Sequence, residues 1–146
     1  MLIDKENIIR LIPQRPPIVM VDGLKEHCTE YSVSVFYIAP DNIFVSSGHF
    51  QVLGLIENIA QTVALRAGYE YMTRIKSQGG NAFKPPVGFI GEIKNLVVHF
   101  LPSVGDMIET RVGLLHNIFT ASVIKGTVIY DGLAAAECEM KVFVQP

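Results

Sequence analysis

From Ser46 to Tyr69 the chain reads SSGHFQVLGLIENIAQTVALRAGY, a run with one glutamate, one arginine and no lysine. Leu53, Leu55, Ile56, Ile59, Val63, Leu65, Tyr69 and then Met72 alternate with Ala60, Ala64, Ala67 and Gly68. That pattern predicts a helix from about Phe50 to Lys76. A helix on a protein surface keeps a polar face, and between Phe50 and Leu65 this one has almost none. It must be wrapped by other elements, most simply by a sheet. Basic residues gather only toward its end (Arg66, Arg74, Lys76), where they complement the helix dipole.

The rest of the chain supplies the wrapping. Asp4 is placed to cap a short helix from Lys5 to about Leu11, which Pro13 ends, and PQRPP predicts an extended turn. A short strand is expected near Ile18–Val21. An alternating strand follows at Tyr31–Ile38, with Val33, Val35 and Tyr37 on one face and Ser32, Ser34 and Phe36 on the other. After the long helix, SQGGNAFKPP reads as a mobile loop. Four strands then follow, at Phe89–Phe100, Ile108–Leu115, Phe119–Tyr130 and Leu133–Val144. Asp131-Gly132 is a strong two-residue hairpin signal. In the last strand Ala134, Ala136, Cys138, Met140 and Val142 share one face and Glu137, Glu139 and Lys141 the other, so one face packs and one is wet. No repeat or linker interrupts the 146 residues, which form one domain, 1–146, of the α+β class: an antiparallel sheet wrapped around one long central helix, the hot-dog arrangement.

Composition bears on partners. Charged residues are 18% of the chain and hydrophobic ones 49%, against about 25% charged in average soluble domains. So few charges predict that an apolar patch is covered by another subunit, in a homodimer or higher homo-oligomer. The net charge of −2 and the lack of a basic, aromatic-interleaved cluster argue against nucleic acid. The N-terminal residues carry no secretory pattern, and no apolar run is long enough to span a membrane, so a cytoplasmic location is expected. Cys28 and Cys138 have no pairing pattern, and Cys138 falls on a core phase. His27, His99 and His116 are isolated, so no metal or other cofactor is expected.

Two polar residues stand out against the apolar helix. A carboxylate at Glu57 is costly there unless it is paired or used. Gln61, one turn on, offers the pairing partner, and pairing and use are compatible. His49 opens the helix, either as a plain flanking histidine or as a base. Asn58 and Thr62 form a second pair at the same spacing, expected to hydrogen-bond in the core or at an interface.

The order of LIPQRPPIVMVDGL, GHF (Gly48–Phe50), IENIAQ (Ile56–Gln61), PSVGD (Pro102–Asp106) and DGLAAAECEM (Asp131–Met140) resembles the beta-hydroxyacyl-[acyl carrier protein] dehydratases of fatty-acid synthesis over most of the chain. The resemblance implies the hot-dog fold, and His49 and Glu57 as catalytic residues that meet across a dimer interface. Dehydrating a 3-hydroxyacyl thioester needs a base for the C2 proton, an acid for the departing hydroxyl and a donor for the enolate-like oxygen. Histidine titrates near neutrality, and a carboxylic acid in apolar surroundings tends to stay protonated. The donor would be a backbone N–H at the helix start, around Leu53–Leu55, so Gly54 and Leu55 are candidate substrate contacts beside Gln61. Gly91, in GFIGEI, resembles a strand position where backbone approaches the acyl chain; a simple bulge is the alternative.

The chain departs from that family in two places. Only seven residues separate His49 from Glu57, where the family has a longer Pro- and Gly-rich loop, and the nearest glycine, Gly54, is displaced. The short spacer looks like that of a divergent branch associated with aryl-polyene and flexirubin-type pigment clusters. Gln14 replaces a histidine usual in the N-terminal motif, a change read as harmless. The implied partner is an acyl carrier protein, and the basic residues Arg66, Arg74, Lys76, Lys84 and Lys94 offer it a positive surface. Two other functions fit the residues. One is an acyl thioesterase in which Glu57 activates water, disfavoured because a His-Gly-Gly signature is missing. The other is a non-catalytic subunit in a heterodimer with a second hot-dog protein.

Overall fold

The computed structural model describes residues 1–80 and 84–145, with side chains up to Phe143. A single 3₁₀ turn at Ile8–Arg10 leads to β1 (Gly23–His27) and β2 (Tyr31–Tyr37). A miniature hairpin follows, β3 (Val45–Ser46) and β4 (His49–Phe50), then the long helix α1 (Val52–Ser77). The chain ends in β5 (Val87–Val98), β6 (Met107–Ile118), β7 (Ala121–Tyr130) and β8 (Leu133–Gln145). Six strands make one sheet in the order β1-β2-β6-β7-β8-β5, and every neighbouring pair is antiparallel. The sheet curls over α1, which is the α+β hot-dog arrangement.

The helix meets the sheet through Leu55, Ile59 and Val63, packed with Phe36, Phe50, Ile108, Val112, Val128, Ala136 and Met140. A second cluster lies under the later turns of α1, where Leu65 and Met72 pack with Ile8, Leu11, Ile12, Val21 and Leu24. Two glycines mark where backbones come closest. A β-carbon on Gly68 would run into the Leu11 carbonyl oxygen, and one on Gly126 into the Ile59 side chain. Neither position has room for alanine, so helix and wrapping stand at a separation set by missing side chains.

The strands of the C-terminal half agree with the alternation read from the sequence, and Asp131-Gly132 forms the two-residue turn, both residues at positive φ. The inward face of β2 is the one carrying Ser32, Ser34 and Phe36. Two expectations need correction. The N-terminal helix from Lys5 is only the 3₁₀ turn, and Asp4 accepts from the Asn7 side chain at 2.8 Å rather than capping a full helix. The strand expected at Ile18–Val21 is not part of any sheet, because side chains of α1 take its backbone groups: Met20 N–H donates to Gln61 Oε1 (2.6 Å), and Met20 O and Ile18 O accept from Asn58 (2.7 Å) and Gln61 (2.8 Å). The first strand lies instead at Gly23–His27, on the open edge beside β2. Residues 81–83 of the expected mobile loop lie outside the described residues.

β5 differs from every other long strand. It pairs with β8 on one side only, and all twelve of its residues are exposed. Phe89, Ile90, Ile93, Leu96 and Val97 are among them.

Candidate active site

Glu57 lies on α1, half-buried, one turn before the fully buried Gln61. Gln61 uses its whole carboxamide. Its oxygen accepts from Met20 N–H, and its nitrogen donates to Ile18 O and, at 2.8 Å, to Glu57 Oε1. With the amide fixed at three points, one carboxylate oxygen of Glu57 is fixed too. The pairing predicted at four-residue spacing is present, reinforced by two backbone bonds that sequence spacing does not announce.

Glu57 opens into a cavity of about 260 Å³ between α1, β5 and β8. Its walls are Ala60, Val63, Ala64 and Ala67 of the helix, Phe89, Ile90 and Val142 of the sheet, and Pro13 and Gln14 of the N-terminal segment. Among the described residues that line it, Glu57 is the only ionisable one. The small alanines make the space, since a larger side chain at any of them would fill it. Val63, Ala67, Pro86 and Val142 also line a larger groove of about 890 Å³, which continues along the later turns of the helix to Arg66, Arg74 and Lys84.

His49 is placed differently. Ser47 and Gly48 both have positive φ and form the tight turn between β3 and β4, and His49 pairs with Ser46 and bridges to Ser103. Phe50 points inward, fully buried, with its ring 5.7 Å from that of Phe36. Strand alternation therefore turns His49 outward, where it is exposed and Nδ1 lies 3.0 Å from Ser47 O. It lines neither the cavity nor the groove. Within one chain the structure does not bring His49 and Glu57 together.

The helix start has no side-chain cap, so the N–H groups of Val52, Leu53 and Gly54 keep their donors without an intrahelical partner. Gly54 itself is buried, and a β-carbon there would lie 2.6 Å from the Phe50 ring. Leu55 is a correction to the expected donor set: its N–H donates to Gln51 O at 3.1 Å and its side chain is fully buried in the core. Gly91 falls at a register shift of the β5–β8 pair, with the Phe143 ring where its β-carbon would be. It does not line the cavity, whereas Gly88, Phe89 and Ile90 beside it do.

Other candidates resolve into structure. Asn58 and Thr62 are fully buried. Asn58 donates to Met20 O and accepts from Thr110, while Thr62 donates to Asn58 O and meets Ser34 at 2.7 Å. Arg66 clamps the β1–β2 turn, donating to Cys28 O, Thr29 O and Ser32, and lies 3.6 Å from Glu70, so its charge is already engaged. Lys94 lies 3.4 Å from Glu92. Arg74 stacks on Tyr71, with 5.2 Å from guanidinium to ring centre, and together with Lys84 gives the far end of the groove its free positive charge. Cys138 is buried in the core, and desolvation, helped by the neighbouring Glu139, pushes its thiol up to about 11. Among the described residues no three His, Cys, Asp or Glu side chains converge as a metal site would require, and no helix is long and apolar enough to cross a membrane.

Sequence reasoning missed Gln14. Read as a harmless replacement, it lines the same cavity as Glu57. The only available signal was its position next to Pro13, which says nothing about where the side chain ends.

Comparison with known proteins places this geometry. A family model described as ApeP-like, ApeP dehydratase, matches residues 6–146. Among solved structures, the dehydratase heterocomplex ApeI:P from Xenorhabdus doucetiae aligns with a TM-score of 0.79 at 14% identity, covering 95% of this chain and 91% of that one. The uncharacterised protein PH1136 from Pyrococcus horikoshii aligns at 0.67 and 12% identity, covering 93% and 91%. A hypothetical thioesterase from Streptococcus pneumoniae aligns at 0.62 and 13% identity, covering 84% and 88%. At these identities the structural likenesses speak for the fold. No curated protein matches the chain.

Proposed function

We propose that this chain, which belongs to the ApeP-like dehydratase family, removes water from a 3-hydroxyacyl thioester carried by an acyl carrier protein, giving the 2-enoyl thioester in fatty-acid or polyene-type synthesis in the cytoplasm. The observation that carries the reading is Glu57: a single ionisable group, oriented by Gln61, facing a cavity otherwise walled by apolar and amide side chains. Glu57 protonates the departing 3-hydroxyl as the C3–O bond breaks, and water leaves. His49 takes the C2 proton, and free N–H groups at the start of α1 steady the charge that builds on the thioester oxygen.

The outward placement of His49 supports a site shared between subunits, with Glu57 of one chain meeting a histidine of another. Two observations support a covering subunit: the one-sided, fully exposed β5, and the half-buried face of α1 that carries Ala60, Ala64 and Ala67. The ApeI:P structure is described as a heterocomplex. A second hot-dog protein is accordingly a candidate partner beside a second copy of this chain, and in a heterodimer this chain's own role ranges from one half of the site to support alone. The groove also suits delivery by a carrier. Arg74 lies seventeen positions after Glu57, roughly 25 Å along the helix axis at 1.5 Å per residue. That is room for an acyl chain and a flexible arm, with positive charge at the end where an acidic carrier would arrive.

The test is turnover of a 3-hydroxyacyl carrier protein by the purified chain, alone and with a second hot-dog chain, with product scored by mass. The expected product is the alkenoyl carrier protein. Glu57→Gln should lower the rate by about 10²–10⁴-fold, and His49→Ala comparably, if each supplies proton transfer. Free acid as product would move the protein to the thioesterases. Turnover only with the second chain, unchanged by both substitutions, would leave it a supporting subunit.

A further inference from the structure

PSVGD, Pro102–Asp106, is remote from Glu57 in sequence and lines neither the cavity nor the groove. It nevertheless carries His49. β4 is two residues long and pairs with the equally short β3, and a hairpin of that size has little stability of its own in water. Its other side is fastened to PSVGD. His49 bridges to Ser103, Phe50 N–H donates to Pro102 O at 2.8 Å, and Val104 N–H donates to Gly48 O at 3.0 Å. The backbone on both sides of His49 is therefore set by where Pro102, Ser103 and Val104 stand.

That turn is built on the sheet. Gly105, at positive φ, donates to Ile38 O at 2.8 Å, and Ile38 N–H donates to Asp106 O at 3.0 Å. Val104 packs against the core. Asp106 folds its side chain back across the turn: Oδ2 accepts from Ser103 N–H at 2.8 Å, while Asp106 N–H donates to Ser103 O at 3.0 Å. One residue thus holds Ser103 by both of its backbone groups, and Ser103 is the residue that meets His49. The same carboxylate lies beside the Tyr130 hydroxyl, which its charge and a hydrogen bond push above the ordinary value.

We propose that Asp106 is a positioning residue for His49, closing the turn from which β4 hangs; the proposal rests on His49 as the base of the dehydration reading. Abstraction of the C2 proton is sensitive to such placement, because a shift of about 1 Å can cost on the order of 10²-fold in rate. Closing the turn requires an acceptor oxygen at the right distance from Ser103 N–H, and it does not require a charge. Asparagine offers that oxygen on the same stem as aspartate. Glutamate offers it one methylene too far out, and alanine offers none. Asp106 exchanges no proton with substrate. It holds Ser103, and Ser103 holds β4.

The experiment compares Asp106→Asn, Asp106→Glu and Asp106→Ala in turnover of a 3-hydroxyacyl carrier protein. The full chain is used, together with the second chain if turnover needs one. Asp106→Asn should keep the wild-type kcat and pH profile, whereas Asp106→Glu and Asp106→Ala should lose about 10–100-fold in kcat with KM unchanged. Should the alanine variant not fold, the glutamate variant carries the same comparison. In a His49→Ala background Asp106→Ala should cost nothing more, because the group it positions is gone. Proton NMR of the histidine rings gives a readout that needs no turnover. The His49 signals, identified by their loss in His49→Ala, should move in Asp106→Ala and stay in Asp106→Asn, while those of His27 and His116 hold. Four results overturn the proposal: an asparagine variant as impaired as alanine, a loss carried by KM, an undiminished further loss in the His49→Ala background, or His49 signals that do not move in Asp106→Ala. Full-rate turnover by His49→Ala would instead overturn the reading of His49 as the base, whichever way the ring signals fall.

Discussion

The two faces of α1 carry the same kinds of residue to opposite ends. On the side toward Ile18–Met20, β2 and β6, Asn58, Gln61 and Thr62 are fully buried, and each completes hydrogen bonds with backbone or side chains across the core. On the side toward β5, Glu57 is held by one oxygen, and alanines wall the cavity that it lines. A polar group with every bond made fixes the fold. The helix thus separates polar residues whose bonds are completed inside the core from Glu57, which is half-buried at a cavity.

Substitutions test that division. The largest effect should come from Asn58→Leu, which leaves Met20 O and the Thr110 hydroxyl unpaired in the core; urea unfolding should show a loss of about 3 kcal/mol. Glu57→Leu, one position away on the other face, should change stability by no more than about 1 kcal/mol, because Gln61 keeps its bonds to Ile18 and Met20. A large loss at Glu57 would erase the distinction between the faces. The smallest effect lies at the rim, where burial and then the nearby Arg66 charge lower the His27 value from the ordinary 6.5, opposed by Glu70. The folded state therefore prefers His27 neutral. Its contribution is complete above pH 6.5 and is lost as the pH falls through the lower folded value. Thermal melts between pH 7 and 5 should show this slope flatten in His27→Gln.

Most of the wrapping was legible from periodicity, because alternation in β6, β7 and β8 and the unbroken apolar pattern of α1 are local signals. Asp131-Gly132 was equally plain, since few other pairs accept positive φ twice in succession. What misled was Ile18–Val21. Its residues have strand character, yet the groups that complete its backbone are side chains forty residues away, and no local pattern encodes that. The site divides the same way. Glu57 and Gln61 announce themselves as polar residues one turn apart on an apolar helix. Gln14 is remote in sequence and ordinary in type, and no local pattern shows that it lines the same cavity.

β5 has one further consequence. An open strand of twelve residues rich in Phe, Ile and Val would copy itself readily if it were straight. Here its register with β8 shifts at Ile90/Glu92 and again at Lys94/Val97, and Asn95 stands at positive φ between the second pair. Each irregularity bends the strand and interrupts the row of backbone donors and acceptors it offers. The free edge is thereby cut into short, unequal runs, and only a strand with matching interruptions can pair along its whole length. The edge works as a key rather than an adhesive: receptive to a partner of the right shape, and poor at building a fibre.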